Sequence, residues 1–420
     1  MEKFILNISA LRSYKYSRND EYSNRYIWIL LYFLLLIFPL GAVALGFALL
    51  LSQNNKNAII HFAFITALYI SFVNISKPIA SDPDLPWYTE QYKMAGKMNL
   101  IKYIFWFGVN GQGRELFFPA YNYVIYFIAG NNLNLYRFIL SMTCYMLSFY
   151  GIMRMGEYMR VSYWKISIPI IWFACFPWIF TYSQTILRQF LAGSFLMYII
   201  VERFFYKKKV IIASICMVLT HTSSFIFLPF LFISYFRKPL KLQTSFAFFL
   251  VFLAFFFIQD IAGLLFFLIG SSDNALSYVL FRASSNTTFE LPQLGIGKIL
   301  FLLMFSVVCI VTYYNSSIRR KILIRNAKSH IAIINTFVIF CTFVISNIQQ
   351  LELSNRLFTY ATFLSAFPLY YIIRYFKIVK SEGSAFFIIM NLLLMVYITH
   401  SSFTYEIPFG LLIYPLQFLI

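Results

Sequence analysis

The sequence predicts an all-α polytopic membrane protein with about ten full transmembrane helices, further short or re-entrant helices and a long outer loop. Of its 420 residues, 60% are hydrophobic, 21% aromatic and only 12% charged. Predominantly apolar runs recur along the chain, and most basic residues lie in the short segments between them. A run of about 20 apolar residues crosses the hydrocarbon core as a helix, because a helix satisfies its own backbone hydrogen bonds there. We therefore expect a single transmembrane domain over residues 1–420.

Ten apolar runs are long enough to be full spans. They cover residues 27–51, 59–75, 133–153, 166–183, 186–206, 245–269, 297–315, 331–349, 356–376 and 385–400. The first run lacks a basic region followed by a short apolar core and a small-residue cleavage site, so we expect it to be retained. The five cysteines lie in apolar stretches without paired spacing, which favours packing over disulfides or a metal site.

The net charge of +19 reflects how the chain is oriented in the membrane. Thirty-four Lys and Arg residues face only 15 Asp and Glu residues, yet the basic residues are concentrated in short segments between spans, as in the cytoplasmic loops of membrane proteins. The clusters are Arg154 to Lys165, Arg203 to Lys209, Arg237 to Lys241, Arg319 to Lys328 and Arg374 to Lys380. We therefore expect no nucleic-acid partner.

Placing these clusters in the cytoplasm defines the outer regions. Residues 76–130 form a long outer loop with interfacial helices if the 14-residue stretch 117–130 does not cross the membrane, and the loop and the N-terminus lie inside if it does. The outer placement is the one that the family resemblance described below implies. Residues 271–296 form a second outer loop. Residues 210–235 lie between two basic clusters and are too few for two crossings, which predicts two half-helices with a break at "LTHTSS". The basic N-terminal residues favour the opposite placement, so the orientation of the N-terminus stays open.

Three ionisable residues lie at apolar positions and are candidate functional groups, because such groups are costly in a bilayer. Arg188, in "TILRQFLAG", either anchors a helix at the outer interface or binds an anionic lipid head through its planar fork. His221, in "LTHTSS", is either a buried hydrogen-bonded imidazole or a group that exchanges a proton with a sugar hydroxyl. Arg356, in "SNRLFTY", either pairs with Glu352 on one helix face or is a second outward cation for a diphosphate.

The outer loop adds carboxylates and aromatic side chains. In "SDPDLPWYTEQY", Asp82 and Asp84 have a spacing found near metals and acceptor hydroxyls, although such a run is also ordinary turn chemistry. Tyr88 and Tyr92 follow, beside Trp87, and aromatic faces next to carboxylates suit sugar rings.

Two further charged residues complete the outer set. Glu115 ends the first loop, and Arg282 in the second loop is either solvated or a substrate contact.

These motifs together resemble bacterial polysaccharide polymerases of the EpsG type, which include many O-antigen polymerases. The resemblance rests on "SDPDLPWYTEQY", "GRELFFPAYNYVIYFIAGNNLNLYRFI", "TILRQFLAGSFLMYII" with the basic "RFFYKKK" after it, "LTHTSSFIFLPF", "SNRLFTY" and "IYPLQFLI". It extends from about residue 80 to the end of the printed sequence, although each motif is short.

The resemblance implies an enzyme of the bacterial inner membrane whose active site faces the periplasm. It implies transfer of a growing chain on undecaprenyl diphosphate to the next lipid-linked repeat unit. Arg188 with Gln189, His221 and Arg356 match the family's arginine-glutamine pair, histidine and late arginine. The implied partners are undecaprenyl-diphosphate-linked glycans, membrane lipid and a candidate chain-length regulator protein.

In this hypothesis Arg188 and Arg356 bind the diphosphate, and Asp84, Glu115 or His221 acts on the acceptor hydroxyl. We expect no cofactor and no metal, because arginines can neutralise a diphosphate, although the Asp82–Asp84 spacing leaves a divalent ion open. Two alternatives remain: a transferase that adds one sugar from a polyprenyl-phosphate donor, and a lipid-linked oligosaccharide flippase whose cations line a transport route.

Overall fold

The computed structural model describes residues 26–79, 84–109, 115–238, 257–269, 294–314, 316–348 and 350–375, together with 410, 413 and 414. Within these ranges the regular elements are all helical. The first half contains α1 (Tyr26–Ile37), α2 (Pro39–Gln53), α3 (Lys56–Ser76), α4 (Leu85–Met94), α5 (Leu100–Ile104), α6 (Phe117–Ala129), α7 (Leu133–Tyr158), α8 (Tyr163–Cys175), α9 (Pro177–Thr185) and α10 (Leu187–Phe204).

The second half contains α11 (Ile211–Thr220), α12 (Leu228–Phe232), α13 (Ile258–Ile269), α14 (Ile296–Tyr314), α15 (Ser316–Ser346), α16 (Leu351–Leu364) and α17 (Ala366–Tyr375). Short 3₁₀ segments lie at Ala95–Lys97, Thr222–Phe227 and Ser234–Arg237, and a π-helical turn at Phe105–Val109 follows α5.

Four of the described helices are long and apolar enough to cross a membrane. They are α3, α7, α14 and the part of α15 from Lys328 to Ser346, and the pair α8 and α9, bent by 51°, makes a fifth if it is one span. The protein is therefore an all-helical membrane protein. The larger count of about ten full spans is not confirmed, since several predicted runs form shorter helices and residues 385–400 lie outside the described ranges.

Prolines break the apolar runs at defined points. Pro39 begins α2 directly after α1 ends, and Pro177 begins α9 directly after α8. Proline favours the first turn of a helix and disfavours a helical conformation in the residue before it. The chain breaks again at Ile186, with φ −103° and ψ 64°, between α9 and α10. This last break places Arg188 in the first turn of α10.

The break predicted at "LTHTSS" is confirmed. Helix α11 ends at Thr220, His221 is extended with φ −152° and ψ 117°, and a 3₁₀ segment then leads into α12. The hydroxyl of Ser224 donates to the carbonyls of Met217 and His221, at 3.1 and 2.8 Å. Both carbonyls also accept a backbone N–H, from His221 and Ser224 respectively, so the serine hydroxyl adds a further hydrogen bond at the break.

Helix α7 packs against both α3 and α10. Gly151 in α7 lies against the α10 backbone, where an added Cβ would stand only 2.8 Å from the carbonyl oxygen of Met197. Arg137, also in α7, is buried and donates to the carbonyls of Asn74 and Ile75 at the end of α3, at 2.6 and 3.2 Å. Small residues allow close helix packing in membranes, and an arginine satisfies the last carbonyls of a helix.

A buried carboxylate joins two of the basic clusters. Glu202 of α10 is fully buried and accepts from Arg154 and Tyr150, each at 3.2 Å, and from Lys208 at 2.7 Å. Arg154 also pairs with Glu157 at 3.2 Å. The predicted cytoplasmic ends of α7 and α10 are thereby held together. Of the five free cysteines, all but the half-buried Cys216 are buried.

We expect Gly151→Ala to destabilise the protein by about 1 to 3 kcal/mol, because the new methyl group meets a backbone carbonyl that cannot rotate away. Thermal unfolding of the detergent-solubilised protein measures the effect. Gly297→Ala in α14 is the matched control, since nothing lies within 4 Å of its added Cβ. Equal melting temperatures for the two variants would contradict close α7–α10 packing.

Candidate functional site

The carboxylate of Glu115 is the centre of the candidate site. Its Oε2 accepts a hydrogen bond from Nη1 of Arg188 at 2.7 Å, and its Oε1 lies 3.0 Å from Nδ1 of His221. The backbone N–H of Thr222 also donates to Oε1, at 3.2 Å. The Glu115 side chain is only 4% exposed. Three donors therefore stabilise a carboxylate that has been removed from water.

Each of the three charged or titratable groups lies where a helix begins or ends. Glu115 stands just before α6, Arg188 is the second residue of α10, and His221 follows the last residue of α11. Side chains at such positions can meet groups from other helices, and the nearby free N–H groups add donors, as Thr222 does here. The two chain breaks after α9 and α11 thus build the site.

Aromatic side chains of α4 hold the Arg188 guanidinium without neutralising it. Nε of Arg188 donates to the hydroxyl of Tyr88 at 3.3 Å, and the guanidinium carbon lies 5.5 Å from the centroid of the same ring. It also lies 5.0 Å from the ring centroid of Trp87, which is 40% exposed. Arginine stacks on aromatic faces in this way. Much of the Trp87 surface stays accessible beside the cation.

Two nitrogens of the site remain open. Nη2 of Arg188 has no hydrogen-bond partner among the described residues, and neither has Nε2 of His221. The Arg188 side chain is 24% exposed. The site therefore offers one free cationic donor and one free imidazole nitrogen.

The surroundings of Glu115 favour its ionised form. Burial raises the pKa of the carboxyl group. Three neighbours together lower this pKa by more than burial raises it: His221, through its hydrogen bond and charge, Arg188, through its charge, and the N–H of Thr222. The pKa of Glu115 is consequently below its usual value, and the carboxylate is ionised at neutral pH. It can therefore both pair with Arg188 and stabilise a protonated imidazole.

Ser223 does not complete a nucleophilic triad. Its hydroxyl lies 3.3 Å from Nδ1 of His221, the same nitrogen that faces Glu115, and 3.2 Å from the hydroxyl of Tyr360. In a serine–histidine–carboxylate triad the serine and the carboxylate contact opposite ring nitrogens. The geometry therefore gives no support to a serine nucleophile here.

Gln189 and Arg356 connect the site to α16. The side-chain amide of Gln189 donates to the backbone carbonyl of Arg356. The Arg356 side chain is exposed, and its charge acts on His221 and on Tyr360. The charges of Arg188, in α10, and of Arg356, in α16, thus both act on the His221 imidazole.

Of the other predicted residues that the structure describes, Tyr92 packs against neighbouring helices and Asp84 lies close enough for its charge to act on the site. Tyr92 is fully buried, stacks on Tyr136 with centroids 3.9 Å apart and donates to the carbonyl of Gly130 at 2.7 Å, so it packs α4 against neighbouring helices. Asp84 is exposed just before α4, and its charge acts on Arg188 and Tyr88. Asp82 and Arg282 lie outside the described residues, and their roles stay predictions.

Some residues of the site were not predicted. Thr222 contributes a backbone N–H, which no side-chain pattern reveals. Tyr360 follows Arg356 by four positions and lies on the same side of α16, a spacing visible in "RLFTY". Among the described residues, no group of three or more His, Cys, Asp and Glu side chains is arranged to hold a metal ion.

The fold and the site define a helical membrane protein with a buried cation, carboxylate and imidazole cluster that borders exposed aromatic and basic side chains. The EpsG family model matches residues 59–418, and the chain belongs to the EpsG family. A comparison with curated proteins gave no significant match, and neither did one with solved structures. Family membership and the apolar helices agree on a membrane protein of polysaccharide biosynthesis.

We expect Glu115→Gln to lower the free energy of unfolding by about 2 to 3 kcal/mol, because it leaves Arg188 without its counter-charge in a partly buried site. Chemical unfolding in detergent measures the loss. Glu90→Gln is the matched control: Glu90 pairs with Lys93 at 3.0 Å, but its side chain is 70% exposed, so we expect a change of at most about 0.5 kcal/mol. Equal losses for both variants would show that the buried pair adds no stability.

Proposed function

We propose that this protein polymerises undecaprenyl-diphosphate-linked oligosaccharide repeat units into O-antigen or a related surface polysaccharide. The transfer takes place at the periplasmic face of the bacterial inner membrane. Membership of the EpsG family supports a polysaccharide polymerase. One observation carries the chemistry: the Glu115 carboxylate holds both the Arg188 guanidinium and the His221 imidazole, and each keeps a nitrogen without a hydrogen-bond partner among the described residues.

Arg188 binds the diphosphate of the donor. Its free Nη2 donates to a phosphate oxygen, and the exposed Arg356 adds a second positive charge near the same site. These cations stabilise the negative charge that develops on the diphosphate as the anomeric bond breaks. The exposed face of Trp87, beside the guanidinium, stacks on the adjoining sugar ring.

His221 is the general base. Its Nδ1–H donates to Glu115, which leaves Nε2 unprotonated and available to the acceptor hydroxyl. The hydroxyl oxygen attacks the anomeric carbon of the donor sugar, the bond from that carbon to the diphosphate oxygen breaks, and its electrons leave with the diphosphate. Nε2 takes the hydroxyl proton, and the Glu115 carboxylate stabilises the imidazolium that forms.

The partners in this proposal are two lipid-linked glycans, one as donor and one as acceptor, within the surrounding membrane lipid. A chain-length regulator protein remains a predicted partner. The arginines supply the charge that a metal ion would otherwise supply, and the proposal needs no cofactor.

We expect Arg188→Ala to abolish long-chain polysaccharide, because the diphosphate loses its principal cation. Gel banding of the surface polysaccharide from a complemented deletion strain measures the effect, with immunoblotting to establish protein in the membrane. Arg374→Ala, which removes an exposed arginine of α17, is the control and should leave the bands unchanged. Normal long chains from Arg188→Ala would overturn the proposal.

The deletion strain itself separates three functions. A core that carries one repeat unit indicates a polymerase, and a core without any repeat indicates a flippase. Full-length polymer that lacks a side sugar indicates a transferase that adds a single sugar from a polyprenyl-phosphate donor.

The contacts of Glu115 with Arg188 and His221 favour it over Asp84 as the carboxylate that serves the acceptor. We expect Glu115→Gln to reduce polymer by about 100-fold or more, because His221 loses the carboxylate that orients its ring and stabilises the imidazolium. Asp84→Asn, at an exposed position where solvent screens the charge, should reduce it by less than about tenfold. Polymer yield per membrane-inserted protein is the readout, and the reverse order would identify Asp84 as the principal carboxylate.

A further inference from the structure

Gln184, in α9, is a buried amide with no hydrogen-bond partner in the part of the chain that the structure describes. Its side chain is 2% exposed, and both Oε1 and Nε2 lack a partner among the described residues. An amide buried in this state is costly, and buried polar side chains are nearly always hydrogen-bonded. The Gln184 side chain therefore retains an unused donor and an unused acceptor.

Gln184 lines a small cavity whose wall has both apolar and polar side chains, and we call it the Gln184 pocket. Asn74, Arg137, Ser141 and Ser183 contribute the other polar side chains of its wall. These groups hold one another: the Asn74 amide donates to Ser141 at 2.8 Å and to Ser183 at 3.1 Å. The wall is thus ordered by its own hydrogen bonds, and no carboxylate is among the residues that line it.

The Gln184 pocket adjoins the candidate site. Leu85 and Leu187 also line it, and they are the chain neighbours of Asp84 and Arg188. A group bound beside the Arg188 guanidinium therefore has a small recess directly next to it.

The size and chemistry of the pocket select its occupant. Its volume is about 10 Å³, which is room for one water-sized group. A phosphate is too large for this space. A hydroxyl fits, and it uses one donor and one acceptor, the two functions that the Gln184 amide has free.

We propose that the Gln184 pocket binds a hydroxyl group of the sugar next to the diphosphate and so contributes to the choice of repeat unit. The inference rests on the proposed function, because it assumes that Arg188 holds the diphosphate of a lipid-linked glycan. Gln184 is then a specificity residue, which contacts the sugar and not the reacting atoms.

The test compares two probes on the full-length protein in lipid nanodiscs. One probe is the lipid-linked repeat unit extracted from a strain that lacks this protein, and the other is undecaprenyl diphosphate without sugar. We expect Gln184→Leu to weaken binding of the glycan probe about tenfold, because one buried hydroxyl loses its partner, and to leave binding of undecaprenyl diphosphate unchanged. Gln91→Leu, at another buried glutamine outside the pocket, is the matched control and should alter neither affinity.

The outcomes are distinct. Unchanged affinity for the glycan probe, with or without a lower melting temperature, would overturn the proposal and make the pocket a structural site only. An equal loss for both probes would also overturn it. Failure of the proposed function would appear elsewhere, as an Arg188→Ala protein that binds both probes as tightly as the unaltered protein does.

Discussion

The rest of the site depends on the carboxylate of Glu115, because it satisfies a cation and an imidazole at once. Placing an arginine in an apolar helix start is unfavourable unless a counter-charge and further donors compensate. Here the counter-charge comes from Glu115, just before α6, at 2.7 Å, and the aromatic rings of α4 pack against the guanidinium. The ion pair therefore holds the start of α6 close to the start of α10.

The same carboxylate fixes the chemistry of His221. In the proposed mechanism Nδ1 of His221 faces this carboxylate and Nε2 acts as the base, and the same carboxylate stabilises the imidazolium. The helix break at His221 makes this possible, because an uninterrupted helix would not release the Thr222 N–H toward Glu115. The helix break at His221 therefore helps to stabilise the charge of Glu115.

The remainder of the protein supports this arrangement by holding helices close together. Gly151 allows the backbones of α7 and α10 to come into contact. Arg137 donates hydrogen bonds to the last carbonyls of α3. Buried polar side chains such as Asn74 and Gln184 line a pocket together with Leu187, the residue before Arg188. In lipid, where apolar surface alone does not drive helix association, such close packing and hydrogen bonding stabilise the bundle.

The sequence by itself determined that the protein is an all-helical membrane protein, and it singled out Arg188, His221 and Arg356, because charges in apolar runs are rare and costly. It named Glu115 only as one of the loop carboxylates. It also located the break at "LTHTSS", since serine and threonine satisfy free backbone groups. Only the tertiary structure decided that Arg188 and His221 share the Glu115 carboxylate, that Tyr92 packs the core, and that Gln184 lines a small recess. Those facts depend on distances between residues far apart in the chain, which helical periodicity does not encode.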